Sequence, residues 1–324
     1  MAKVTEVITD RYAIYNTDCV EFTAQLPDNC LDMVVYSPPF CGLYNYSSDE
    51  RDMSNNSREG FYTHYDFLIE QLARTTKLGR CNAVHICEIP ESNQGCDNLE
   101  DLPGKTIELH KKHGFRYMGR HVIWKEPLWV RLRTLQKSLQ HQAVVEDSMA
   151  AGVASADYLL IFAAPGTNEV PVSHETGFDY YAGESPIPED FQKFRNFKGH
   201  QTANKYSQWI WRQYASSVWD DIRADRVLPY KPGKDKDDER HVHPLQLDVI
   251  ERIIQLRTNP NETVYTPFLG VGSEAYGAVS LGRKAVGCEL KPSYFRQAIK
   301  NLESCQPVSI ETVEYQPSLL DLDV

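Results

Sequence analysis

The sequence predicts an α/β fold: a doubly wound, mostly parallel sheet with helices on both faces. Three observations carry the prediction. Short apolar strand runs alternate with helical periodicity along 324 residues. One strand, Asp32 to Tyr36, stops abruptly at Ser37-Pro38-Pro39-Phe40. Another, Thr263 to Thr266, opens through Pro267-Phe268-Leu269-Gly270-Val271-Gly272-Ser273 into a helical stretch. Alternation of this kind belongs to parallel sheets rather than to bundles or sandwiches.

Between those two strand ends the elements follow in order. Phe67 to Thr76 reads as a helix, Ala83 to Cys87 as a buried strand and Thr106 to His113 as a second helix. Arg116 to Trp124 and Ala156 to Ala163 are long β-rich runs suited to antiparallel pairing. The stretch 165–217 is rich in Gly, Pro, Asn and aromatic residues with little periodicity, and reads as an insertion. Lys231 to Arg240 is a charged loop. Lys284 to Glu289 is a further strand that ends on an acid, and Pro292 then opens an amphipathic helix from Ser293 to Leu302. An acidic tail follows Gln306, and no internal repeat is present.

Composition narrows the class. With 41% hydrophobic and 24% charged residues the chain reads as a globular protein with an ordinary core. No run of 18 apolar residues predicts a membrane helix, and the opening MAKVTEVITDRYAIYNTD lacks the layout of a secretion signal, so a cytoplasmic location is expected. The cysteines (Cys19, Cys30, Cys41, Cys81, Cys87, Cys96, Cys288, Cys305) include no CxxC pair and are expected to be small, reduced core residues. His241 and His243 form an HxH without a Cys or acidic partner at ligand spacing, so no metal is expected.

The net charge of −11 argues against nucleic acid when taken alone. Its distribution argues the other way. Leu128 to Gln142 carries Arg131, Arg133 and Lys137 with no acid. Lys193 to Trp219 carries Lys193, Arg195, Lys198, Lys205 and Arg212, again with no acid, interleaved with Phe194, Phe197, Tyr206, Trp209, Trp211, Tyr214 and Trp219. Basic and aromatic residues so mixed suit phosphate contact with base stacking; the plainer reading is a surface segment whose aromatics cover the core.

Glycines at a strand-to-helix turn let backbone approach a ligand closely, and an acid ending the next strand suits the ribose hydroxyls of a nucleotide. Gly270, Gly272 and Glu289 stand in those places. A dinucleotide site would add a third glycine, where this chain has Ala275. Chance occurrence of two glycines and an acid stays open at this point. The Ser37-Pro38-Pro39-Phe40 turn is more particular. Two prolines remove two backbone donors and fix the loop, leaving a hydroxyl, carbonyl acceptors and an aromatic face. An exocyclic base amine is a poor nucleophile because its lone pair is delocalised. Acceptors for both of its hydrogens favour a pyramidal nitrogen, and a ring can hold the base by stacking. A rigid turn with purely structural duty is the alternative.

Together these motifs resemble the β-class of S-adenosylmethionine-dependent DNA amino-methyltransferases, in which an S/D-P-P-Y/F motif precedes F-x-G-x-G. The likeness runs from Asp18 to about Leu302. It includes Asp18-Cys19, Leu26 to Asn29, Gly79 to His85, Gly114 to Lys125, His243-Pro244-Leu245-Gln246, Ser273-Glu274 and Leu281-Gly282-Arg283. Thr266 stands where the family usually has Asp, and Leu247-Asp248 where it usually has Lys-Pro.

The resemblance implies a Rossmann-like, seven-stranded sheet, circularly permuted so that Tyr12 to Asp18 supplies a cofactor-side strand, with an antiparallel hairpin at one edge. It implies a catalytic half over 1–164, a target-recognition insertion over 165–217 and a cofactor-binding half over 218–324. S-adenosylmethionine would be held by Asp18, His243, Gln246, Phe268, Gly270, Gly272, Ser273 and Glu289, with Asp18 at the adenine. Ser37, Pro38, Pro39 and Phe40 would perform transfer to a base flipped out of DNA. Arg131, Arg133, Lys137, Lys198, Lys205 and Arg212 would contact the nucleic acid. Ser-Pro-Pro favours N4 of cytosine, with N6 of adenine as the alternative. RNA or protein methylation is less expected, since related glutamine methylators carry Asn at the place of Ser37. A nucleotide-binding module without chemistry would leave the proline turn unexplained. A bacterial or phage-infected cell is the expected setting, and a homodimer is left open.

Overall fold

The computed structural model describes residues 5–40, 52–90, 98–134, 137–233 and 244–308. Among these the strands are β1 (Glu6–Ile8), β2 (Tyr12–Tyr15), β3 (Leu31–Tyr36), β4 (Thr76–Cys87), β5 (Ile89–Pro90), β6 (Leu99–Glu100), β7 (Arg116–Ile123), β8 (Asp157–Ala163), β9 (Val218–Trp219), β10 (Thr263–Thr266) and β11 (Lys284–Cys288). β5 and β6 pair apart from the rest. The other nine form one sheet in the order β1-β2-β11-β10-β3-β4-β8-β7-β9. Among the described strands of that sheet, β1 and β8 run against the others.

Two expectations need correcting. The sheet has nine strands rather than seven, because β1 and β9 add short pairings of 3 and 2 residues at its two ends. Runs that short leave no period to read. For the same reason the antiparallel β7–β8 pair is not at the edge: Val218 and Trp219 of β9 pair with Val122 and Ile123 outside it. The permuted connection holds, since β2 lies beside β11 with Ala13 opposite Val286.

The helices are α1 (Cys19–Gln25), α2 (Arg58–Thr75), α3 (Leu102–Lys112), α4 (Pro127–Thr134), α5 (His141–Glu146), α6 (Glu189–Gln192), α7 (Lys205–Ala215), α8 (Leu247–Arg257), α9 (Ser273–Ser280) and α10 (Pro292–Glu303). The period of two along the central strands divides them between two cores. Met33 and Val35 of β3, with Cys81 and Ala83 of β4, pack on α8, α9 and α10 through Ile250, Ala275 and Phe295. Val34, Tyr36, Val84 and Ile86 face the other way, onto Phe61, Leu68 and Leu72 of α2 and Leu102 of α3. α2 begins nine residues before the expected Phe67 because Ser57 caps it, accepting from the Gly60 N–H.

The segment after β8 is more ordered than its composition suggests. Asn204 caps α7, whose Tyr206, Trp209, Ile210 and Tyr214 lie on one helical face and are buried with Phe178. Behind them Arg252 of α8 is fully buried. It donates to the Ala182 carbonyl at 2.6 Å, pairs with Asp221 at 2.7 Å and lies over the rings of Tyr181, Tyr214 and Trp219.

Candidate active site

The carboxyl ends of β3, β4, β10 and β11 open on one cavity of about 230 Å³, the place where open α/β sheets bind ligands. One wall is Ser37, Pro38, Pro39 and Phe40. The opposite wall is Pro267 to Val271 with Ser273, Glu274 and Glu289, and Asp18 and Gln246 also contribute. Strand ends that lie more than two hundred residues apart in sequence therefore meet here, because β3 and β10 are neighbours with Val264 opposite Met33.

On the glycine side, Gly270 sits at φ +53°, a left-handed conformation that favours glycine. A Cβ there would have no protein atom within 4 Å, so the space above it is open to a ligand. The Gly270 N–H donates to Oε2 of Glu289 at 2.7 Å, and the Lys291 N–H donates to Oε1 at 2.8 Å. Each oxygen keeps capacity for a further donor such as a sugar hydroxyl. Burial pushes the Glu289 carboxyl up to about 7, against the pull of those two N–H groups. Asn16 anchors the same loop, donating to the carbonyls of Glu289 at 2.7 Å and Leu290 at 3.0 Å. Ser273 is buried, and its hydroxyl has no hydrogen-bond partner among the described residues. Beside it, burial pushes the Glu274 carboxyl up to about 8, and the charge of Glu289 adds to the shift.

Asp18 serves first as a helix cap. Its Oδ1 accepts from the N–H groups of Val20 and Glu21 at 2.9 and 3.0 Å, so any contact to an adenine falls to Oδ2. Gly272 is not among the residues that line the cavity, although Val271 and Ser273 on either side of it are. At φ +95° it caps α9, and a Cβ would lie 3.3 Å from that of Ala298, so it serves the close approach of α10. Pro244, Leu245 and Gln246 line the cavity, whereas His243 and the HxH pair lie outside the described residues.

On the proline side, Tyr36 is opposite Val84, so Ser37 leaves β3 level with His85 of β4. His85 Nε2 lies 3.0 Å from Oδ2 of Asp157, and Lys125 Nζ lies 2.8 Å from the same oxygen. All three line the cavity. Sequence reasoning did not single them out, although a polar residue at the carboxyl end of a buried strand is a usable signal. Asn16 offered no comparable signal. Cys19 and Cys288 also line the cavity, and burial raises both thiols, so neither is a ready thiolate.

The expected recognition residues are not part of this cavity. Lys198, Lys205 and Arg212 are exposed and Arg131 is half-buried on α4, while the side chains of Arg133 and Lys137 lie outside the described residues. The aromatic half of that reading is corrected. Tyr206, Trp209, Tyr214 and Trp219 are buried in cores, because rings that size cannot stay solvated when an amphipathic helix gives them a common face. Of that window's tryptophans Trp211 is exposed, and other exposed tryptophans are Trp124 and Trp129, beside Lys125 and on α4.

A sequence profile of the DNA methylase family of N6/N4 type matches residues 31–300. The chain belongs to this family. Among its relatives, the type II methyltransferase M.BamHI of Bacillus amyloliquefaciens is 25% identical over 283 residues, which make up 87% of this chain and 55% of the relative. The chain thus spans about half the length of that protein. Among solved structures, PvuII DNA methyltransferase, cytosine-N4-specific, superposes with a TM-score of 0.60 at 15% identity, over 90% of this chain and 86% of the other. TTHA0409 of Thermus thermophilus, solved in complex with S-adenosyl-L-methionine, gives 0.59 at 18% identity over 93% and 96%. At these identities the likeness concerns the fold, which is the Rossmann-like α/β sheet of methyltransferases.

Proposed function

We propose that the methylase binds S-adenosylmethionine over the glycine turn and transfers its methyl group to the exocyclic amine of a base in DNA, N4 of cytosine. The observation that carries this reading is the single cavity shared by Ser37-Pro38-Pro39-Phe40 and by Gly270 with Glu289. The donor side fits the group. Glu289 can take ribose hydroxyls, open space over Gly270 admits a nucleoside, and the unpartnered Ser273 hydroxyl sits where the helix N-terminus meets the cavity.

The acceptor side supplies what an amine needs. The Ser37 hydroxyl and a carbonyl of the proline turn accept the two N–H groups, turning the lone pair out of the ring. Phe40 offers a face for the base. With S-adenosylmethionine held at Glu289 and Gly270, its methyl would be offered to that lone pair, and an acceptor in the proline loop would take the amine proton. When bound, the cofactor supplies an electrophilic methyl, so the protein need supply no covalent nucleophile. The raised Cys19 and Cys288 thiols agree with that. A base inside a duplex cannot reach this cavity, so the target is flipped out.

Within the same reading, residues 165–217 form the target-recognition insertion between catalytic and cofactor-binding halves, with Lys198, Lys205, Arg212 and Arg131 contacting phosphates. A cytoplasmic site of action in a bacterial or phage-infected cell belongs to the same reading. Incubation with labelled cofactor and duplex DNA, followed by nucleoside mass spectrometry, tests the proposal. N4-methylcytosine supports it in full. N6-methyladenine moves the target base and keeps the chemistry. Label in RNA or protein alone rejects it.

A further inference from the structure

The strand order separates the cavity into zones. β11 and β10 carry Glu289 and the glycine turn, β3 carries the Ser-Pro-Pro-Phe turn, and beyond it lie β4, β8 and β7. His85, Asp157 and Lys125 belong to those last three strands or follow directly from them. Asp157 opens β8 opposite both Cys87 and Ile123, and Lys125 comes two residues after Ile123. Strands are spaced by about 5 Å, so a base held at Ser37 with its amine toward the cofactor side has its remaining ring edge over this trio.

The trio is built like a binding site. Lys125 and Asp157 have side chains only 9% and 10% exposed. A buried ion pair is costly to desolvate and gives little stability by itself, so its persistence beside a cavity asks for another use. His85, equally buried, presents Nε2 to Asp157, while its Nδ1 has no hydrogen-bond partner among the described residues. Asp157 Oδ2 is shared between the ring and the ammonium, which fixes both beside the Ser37 turn.

Resting on the function proposed above, we infer that His85, Asp157 and Lys125 form the subsite that reads the ring edge of the target base, with Lys125 as the group that touches it. An ammonium has three donors. Asp157 engages one, and two are left to meet acceptors. Cytosine carries two acceptors in a row beside its amine, N3 and the carbonyl O2. Adenine carries N1 followed by a C–H. The subsite therefore complements cytosine and leaves one donor unmatched against adenine, an imbalance of the kind by which polar sites reject analogues. Asp157 and His85 act as positioning residues, fixing the ammonium and keeping it from following solvent.

The test uses the full chain and a duplex containing its mapped methylation site, with the target cytosine either natural or replaced by 3-deazacytosine, which keeps the amine and O2 and lacks the N3 acceptor. Wild-type protein is expected to lose at least tenfold in kcat/KM on the analogue. Lys125→Met is expected to be slower on cytosine, mainly in kcat, and to lose most of the discrimination between the two bases, while binding cofactor as tightly as wild type by calorimetry. Lys125→Arg, which retains donors, is expected to keep part of it. Wild-type protein that methylates the analogue as well as cytosine overturns the inference whatever the variants do. A folded Lys125→Met with undiminished discrimination overturns it too. Wild-type protein that binds cofactor and modifies no DNA amine instead overturns the function on which the inference rests.

Discussion

Gly270 and Glu289 are joined directly: the glycine N–H donates to the carboxylate at 2.7 Å, making the turn and the neighbouring strand end one unit. Ribose hydroxyls donate best to an ionised carboxylate, and burial holds this one at about 7. Binding of S-adenosylmethionine should therefore weaken as pH falls through that value. Glu289→Ala should cost roughly 1.5–3 kcal/mol of affinity above it, and Glu289→Gln should flatten the pH dependence. Gly270→Val should be worse, since it places a branched side chain at φ +53° and into the cavity. Calorimetry at pH 6 and 8 checks all three; undiminished binding in both the Ala and Val variants removes this turn as the cofactor site.

Glu274 gives a stability signature. Its carboxyl is pushed up to about 8 in the folded protein, against an ordinary value of 4.5. The folded state thus holds its proton more tightly than the unfolded chain does. The stability this confers is complete below about 4.5 and is lost as pH rises through about 8. Glu274→Gln cannot lose a proton, so its denaturation midpoint should gain on wild type steadily from pH 5 to pH 9. A difference independent of pH would show that Glu274 is not buried as described.

In the proposed mechanism Ser37→Ala removes one acceptor for the amine and nothing that holds the cofactor. Turnover should fall by about tenfold, the value of one hydrogen bond lost in the transition state, with cofactor affinity unchanged. Single-turnover kinetics separate these. A C5-methylcytosine product from the wild-type protein would defeat the mechanism, because that chemistry needs a nucleophile attacking the ring.

Neutralising Lys198, Lys205 and Arg212 together should lower DNA affinity across sequences. The slope of log affinity against log salt should flatten by about 0.9 per lost phosphate contact. Cofactor binding should not change, since none of the three lines the cavity. A triple variant with wild-type affinity and slope moves the recognition surface elsewhere, and the exposed Trp124 and Trp129 beside Lys125 and Arg131 are the next place to look.

Arg252 ties the segment after β8 to α8. Arg252→Leu leaves Asp221 buried without its cation and should destabilise the fold by about 3–5 kcal/mol. Adding Asp221→Asn should restore part of that loss. A denaturant midpoint unaffected by Arg252→Leu would refute the buried pair.

The residues that share the candidate cavity were legible in the sequence where they sit at strand ends, at which a short apolar run meets a residue that cannot continue it. Ser37-Pro38-Pro39 and Gly270 are such breaks, and Glu289 is an acid where burial would otherwise exclude one. Gly272 carried the same local signal: helix packing and ligand approach both call for a missing side chain, and sequence does not separate them. The trio of His85, Lys125 and Asp157 was not recognised because its members come from three strands and acquire meaning only through register. The aromatic window misled because exposed stacking rings and core rings have one composition. A caged helix face became visible only with Tyr206, Trp209 and Tyr214 seen to share it.

Asp32, at the start of β3, accepts from the Thr263 backbone N–H at 2.9 Å across 231 residues of chain. The contact sets a timetable. At synthesis rates of about 5–20 residues per second, β3 emerges some ten seconds to most of a minute before the strand it must pair with. For most of that interval Met33 and Val35 have no helix layer to cover them, since α8, α9 and α10 are made last, and the proline turn lacks the glycine turn. The newborn chain therefore passes through a prolonged stage with one open strand edge, a state that invites pairing with other chains. Ribosome-bound intermediates halted before residue 263 should accordingly be protease-sensitive around β3 and depend on chaperones, and protection should appear in one step once α10 has been made.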